Sequence, residues 1–215
     1  MTLWLYGWAP GASRALGRGA AREPLRAVRL RPGLWAIAGE VARPLAGTLP
    51  ALRAQDRVVR RLFSSLGAFV PARFGSAVEG PEALRRQLEG RLDALARALV
   101  ELRGKVQMTA RGFGRGHRPL RARLPRSPGA RYLAKAARRV SVPELAAVRE
   151  DYGRFVLREI LERGEARPLA WTAYHLVERR AVHVYRLAIR RAAERAGYHV
   201  VVSGPHPPYA FVSDI

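Results

Sequence analysis

The sequence predicts an α+β protein built from two small domains. Two observations carry this. Short apolar or β-favouring runs interleave with helix-period stripes, once before about residue 103 and once after it. The helical stripes also close on glycine, at Gly67, Gly104, Gly164 and Gly197, the residue that most readily ends a helix. The expected domains are 1–103 and 104–215, each a small sheet with helices on one face.

In chain order, Leu3 to Trp8, Ala27 to Leu30, Leu34 to Ala38 and Ala68 to Pro71 read as strands. Leu52, Val59, Leu62 and Leu66 mark a helix between the third and fourth of these. Leu84, Leu88, Leu92, Leu95, Leu99 and Leu102 recur at helical spacing, one stripe of a single helix opened by Pro81. Val106 to Ala110 starts the second half as a strand. Arg111 to Arg126, rich in Gly, Arg and Pro, is expected to be a loop, and a short helix follows Ser127-Pro128. Ser141 with Glu144 forms a capping-box pattern. The helix it opens carries Leu145, Val148, Tyr152 and Phe155 inward and ends near Gly164. Leu169 to Leu176 is a strand, Val182 to Ala196 a helix, and Tyr198 to Val202 a strand.

The last residues combine stiffness with aromatics. Gly204, Pro205, Pro207 and Pro208 forbid a helix, so the tail is expected to be extended. It is expected to pack on the second domain, with Tyr209 and Phe211 buried on one side and Ala210 and Val212 on the other.

Composition narrows the function classes. At 48% hydrophobic the 215 residues can bury a core, and no apolar run reaches the length of a membrane span. The start, Met1 to Trp8, has no basic leader and reads as a strand rather than a signal peptide. Absence of cysteine excludes disulfides and zinc-thiolate sites and fits a reducing cytoplasm. The formal charge is +22, which suggests an anionic partner, nucleic acid included. Yet all of the 39 basic residues except Lys105 and Lys135 are arginine, a bias that genome composition also produces. The distribution is more telling than the total. Leu102 to Pro143 holds no acidic residue, and Arg118, Arg121 and Arg123 sit within it as candidates for docking an acidic surface.

Motifs for chemistry are sparse. Gly112-Phe113-Gly114-Arg115-Gly116 fails the dinucleotide pattern because Arg118-Pro119 stands where a helix should begin. His117, His175, His183, His199 and His206 show no metal-ligand spacing, and His175 and His199 read as packing or edge residues. No two carboxylates are placed as acid and base, and no serine sits in a nucleophile elbow. No catalytic, cofactor or metal residue is assigned.

Val70-Pro71-Ala72-Arg73-Phe74-Gly75 joins a strand to the leucine-stripe helix, a tight turn with Phe74 packed beneath it. With Leu3-Trp4-Leu5-Tyr6-Gly7, Leu102-Arg103-Gly104-Lys105-Val106, Ser127-Pro128-Gly129-Ala130-Arg131-Tyr132-Leu133, Ala173-Tyr174-His175-Leu176-Val177 and the tail Gly204 to Val212, it resembles the gas vesicle protein GvpL/GvpF family over nearly the whole chain. His206 stands where members commonly have Trp, Ala210 where they have Ser, and Gln55-Asp56 where they often have His-Glu. The resemblance implies a ferredoxin-like N-terminal part, a related α+β C-terminal part and no catalysis. It implies a cytoplasmic accessory protein at the gas vesicle, binding the hydrophobic shell protein or other accessory proteins. The motif residues it singles out are Arg73, Phe74, Gly75, Gly204, Pro205, Pro207, Pro208, Tyr209 and Phe211. A nucleic-acid-binding protein using the arginine-rich surface is the alternative.

Overall fold

A computed structural model of the protein describes residues 2–11, 15–113, 142, 145, 149–164 and 168–212. The chain forms two compact units, Met1–Gly104 with Pro207–Ile215, and Lys105–His206.

The first unit is built on β1 (Thr2–Ala9), β2 (Leu25–Arg31) and β3 (Leu34–Val41), followed by α1 (Leu49–Ser65), β4 (Val70–Pro71), β5 (Ala77–Val78), α2 (Gly80–Leu88) and α3 (Leu92–Glu101). The sheet is antiparallel, in the order β2-β3-β1-β4, and β5 also pairs with β1. Central β1 is buried on both faces, which is why Leu3-Trp4-Leu5-Tyr6 lacks polar alternation. Trp4 donates its indole N–H to buried Gln55 on α1, 2.8 Å away. The Tyr6 hydroxyl donates to buried Glu23 at 2.5 Å and accepts from the Ala20 N–H. Thr48 caps α1 through Ala51 N–H, with Pro50 in the first turn where a missing N–H costs nothing.

Gly7 is required by close approach. A Cβ there would lie 2.3 Å from the Val70 carbonyl oxygen and 2.4 Å from the Phe69 ring. The carbonyl cannot move without disturbing the β1–β4 pairing of Gly7 with Pro71 and Trp8 with Val70, and the Phe69 ring is packed in the core. Gly7→Ala is therefore expected to cost about 3 kcal/mol, the upper range for overpacking. A urea melt with an unchanged midpoint would contradict this.

The second unit is an antiparallel sheet in the order β7-β8-β6-β9, from β6 (Lys105–Phe113), β7 (Arg158–Arg163), β8 (Leu169–Glu178) and β9 (His199–His206). It carries α4 (Arg149–Gly153) and α5 (Val182–Arg195). Tyr185, Ile189, Ala192 and Ala193 of α5 are buried, in a unit whose sheet buries Met108, Ala110 and Ala173.

The leucine stripe is two helices, broken at Glu89–Arg91 where Gly90 is left-handed (φ 79°). The helix expected to run to Gly164 is described as helical only at Leu145 and over Arg149–Gly153, and its second half is β7. Arg, Glu and Leu favour helix locally, but all six β7 residues pair with β8, and tertiary pairing overrides propensity. The tail is not one extended segment. β9 runs through Gly204 and Pro205, and Tyr209–Phe211 then form a 3₁₀ turn. Its end belongs to the first unit rather than the second. Pro207, Pro208, Phe211 and Val212 are buried while Tyr209 and Ala210 are half-buried, so burial does not alternate. A turn has no two-residue period, which is the physical reason the strand reading failed there.

Candidate functional site

The Arg73-Phe74-Gly75 motif is an arch in an edge strand. β4 pairs with β1 at Gly7 and Trp8, and β5 pairs with β1 at Leu3 and Trp4. Between them Ala72 N–H donates to the Tyr6 carbonyl and Leu5 N–H to the Ser76 carbonyl, both at 2.9 Å. Residues 72 and 76 thus stay in register with β1 while the three residues between them are extruded. Ser76 N–H donates to the Arg73 carbonyl at 3.2 Å, closing the arch as a turn. Gly75 has φ 89°, where a side chain would be strained, and it returns the chain to the sheet. An arch of this kind also blunts an exposed sheet edge.

Arg73 and Gly75 are exposed, and Phe74 is half-buried with its ring edge-on to Trp4, centroids 5.3 Å apart. The sequence placed Phe74 beneath the turn; it stands instead at the turn's side, because Trp4 already fills the core there. Phe74→Ala should accordingly cost about 1–2 kcal/mol, the loss of partial burial and one aromatic pair. A midpoint shift equivalent to more than about 3 kcal/mol would indicate full burial instead.

Beside the arch lies a cleft of about 660 Å³ within the first unit. Leu5 and Trp8 of β1 line it with Leu84, Leu88 and Leu95 of α2 and α3, and Arg73, Gln87 and Arg91 are its long polar side chains. Val212 from the tail completes the lining. The Trp8 indole N–H is buried and has no acceptor among the described residues. The tail is fastened on α1, where the Tyr209 hydroxyl hydrogen-bonds to Asp56, itself paired with Arg60 at 2.6 Å. Burial, with the Asp56 carboxylate beside it, pushes the Tyr209 phenol above its ordinary range.

The structure thus gathers Arg73, Phe74 and Gly75 with the tail residue Val212 around one cleft. Pro207, Pro208, Tyr209 and Phe211 lead to it in the same unit, whereas Gly204 and Pro205 belong to β9 of the second. Gly204 is left-handed there (φ 121°), and its carbonyl accepts from Arg186. Arg118, Arg121 and Arg123, with the short helix after Ser127-Pro128, lie outside the described residues.

Sequence reasoning missed a polar cluster inside the second unit. His175 on β8 is fully buried; its Nε2 lies 2.9 Å from Glu159 and its Nδ1 2.6 Å from the Tyr185 hydroxyl. Because the carboxylate needs a donor, Nε2 carries a proton toward Glu159. Tyr152 donates to the same carboxylate at 3.4 Å, and Arg149 approaches it from α4 at 3.4 Å. Burial alone raises the Glu159 carboxyl, but hydrogen bonding and charge from His175, then Arg149 and Tyr152, outweigh it and hold it below its ordinary range. Both imidazole nitrogens are used within the fold, so the cluster clamps β7 to β8 and α5. Only the β7 assignment could have revealed it, since Glu159 faces His175 in a strand and not in a helix.

A family described as gas vesicle synthesis protein GvpL/GvpF matches residues 2–213. The fold is similar to the crystal structure of gas vesicle protein GvpF from Microcystis aeruginosa, with a TM-score of 0.76 at 14% identity over 98% of each chain. It is likewise similar to that of GvpF from Anabaena sp. PCC7120, with a TM-score of 0.78 at 13% identity over 100% of this chain and 97% of that one. No curated protein matches the sequence. No helix among the described residues is long and apolar enough to cross a membrane.

Proposed function

The chain belongs to the gas vesicle synthesis protein GvpL/GvpF family, and on that premise we propose that it is a non-catalytic accessory protein of gas vesicle assembly in the cytoplasm. Its partners in this reading are the hydrophobic shell protein and other accessory proteins. The observation that carries the proposal is the family match across residues 2–213. The cleft beside the Arg73-Phe74-Gly75 arch supports it, because a subunit with a large apolar face aggregates unless that face is covered. In the proposal the arch and Val212 form one contact, with the tail residues from Pro207 to Phe211 holding Val212 in place. Arg118, Arg121 and Arg123 form another contact, toward an acidic surface.

The test is complementation in a vesicle-forming host that lacks its own copy of the gene, together with co-purification of the shell protein. The wild-type chain should restore vesicles. Arg73→Glu combined with Leu88→Arg should abolish both restoration and co-purification. Shell-protein binding should persist at high salt, since apolar docking releases few counterions. Binding of the chain to DNA or RNA that collapses steeply with salt, without shell-protein binding, would favour the nucleic-acid alternative.

A further inference from the structure

The cleft of the first unit is chemically one-sided. Leu5, Leu84, Leu88 and Leu95, all buried, form its apolar walls, and Val212 joins them. Arg73 and Arg91, both exposed, are its cationic lining residues, and no carboxylate lines it among the described residues. Glu79 and Glu89 flank α2 and are exposed, but neither lines the cleft. Apolar walls beneath two guanidinium groups raise the positive potential there. The occupant that fits such a site brings an aliphatic side chain together with a carboxylate.

The chain itself supplies both at the point where it reaches the cleft. Val212 is followed by Ser213, Asp214 and Ile215, which lie outside the described residues. Asp214 is the one charged residue from Pro207 to Ile215, a stretch that belongs to the first unit. Three residues span at most about 10 Å, so Asp214 and Ile215 are within covalent reach of the walls that Val212 joins. So short a tether sets their effective concentration at roughly millimolar or above.

We propose that Ser213-Asp214-Ile215 is the resident occupant of the cleft. Ile215 covers Leu84 and Leu88, Asp214 meets Arg73 and Arg91, and a partner gains the cleft by displacing them. The contact is autoinhibitory. Its occupancy stands on the lining and the tether; the displacement step rests on the docking role proposed for the cleft. The tail of a second copy has no tether, and it approaches against the repulsion between two chains of net charge +22.

Disulfide trapping in the full chain tests the occupancy, because the protein has no cysteine of its own. Gln87 lines the cleft and is exposed, so a cysteine there leaves the core intact. Under mild oxidation, Gln87→Cys with Ile215→Cys should cross-link within one molecule. The rate should exceed by about tenfold or more that of Ile215→Cys with Arg43→Cys, an exposed position outside the lining. Adding Arg91→Glu should slow the cross-link about threefold, as a partly solvated ion pair allows, and so should Asp214→Arg. The two together should restore the rate. A cross-link no faster than the Arg43 control, one that joins two molecules, or one insensitive to both charge reversals would overturn the occupancy. For the displacement, a chain ending at Val212 should co-purify about threefold more shell protein than the full chain. Equal recovery from both would overturn that step. An intact cross-link in a chain that captures no shell protein, with or without its last three residues, would overturn the proposed function and leave the occupancy standing.

Discussion

Replacing His175 with alanine is expected to lower the stability of the second unit by about 3 kcal/mol, the cost of stranding buried polar groups. The substitution leaves the Glu159 carboxylate and the Tyr185 hydroxyl without the ring that joins them. It also opens a void at a site with no solvent exposure. Glu159→Gln should cost less, about 1 kcal/mol, because the amide oxygen still accepts from His175. The pH dependence carries a definite sign. Glu159 is held below its unfolded value, so its contribution is present above that value and is lost as pH falls through the folded one. The gap between wild type and His175→Ala should therefore narrow in acid, as pH falls through the folded value of Glu159. Denaturant melts across pH would show this, and a gap that widened in acid would mean that the cluster is not an ion-paired clamp.

Removing everything after His206 is expected to destabilise the first unit, by about 3–5 kcal/mol, while sparing the second. Phe211 and Val212 are buried in the first unit, Pro207 and Pro208 are buried before them, and Tyr209 is tied to Asp56 on α1. Hydrogen exchange read by mass spectrometry separates the outcomes. Protection should fall in β1 and α1 and persist in β6 and β8. Loss of protection in β6, β8 and β9 instead would restore the simpler view that the tail completes the domain it follows. On the proposed function, the truncated chain should also fail to support vesicles, because Val212 no longer lines the cleft.

Legibility tracked the range of the interaction that decides each feature. α1 was readable because Val59, Leu62 and Leu66 recur at helical spacing and Gly67 closes the stripe. β1, β3, β6 and β8 were readable as apolar runs. Arg73-Phe74-Gly75 could be singled out by resemblance, but not its form as an arch, which needs the hydrogen bonds of Ala72 and Ser76 to β1. Glu159 looked like a residue on a helical surface, and only its pairing opposite His175 made it an internal partner.

The amino-acid sequence by itself determined the α+β class, most strand and helix positions, and the exclusion of thiol chemistry, all properties written in composition and in periods of two or about 3.6 residues. The tertiary structure alone decided that Arg158–Arg163 is a strand, that the leucine stripe bends at Gly90, and that the tail returns to the first unit to complete its cleft. Those choices depend on which distant surface offers an unfilled hydrogen-bond edge or an uncovered apolar face. No local period encodes that partner, so segments of helix-forming or proline-rich sequence took the conformation their neighbours in space required.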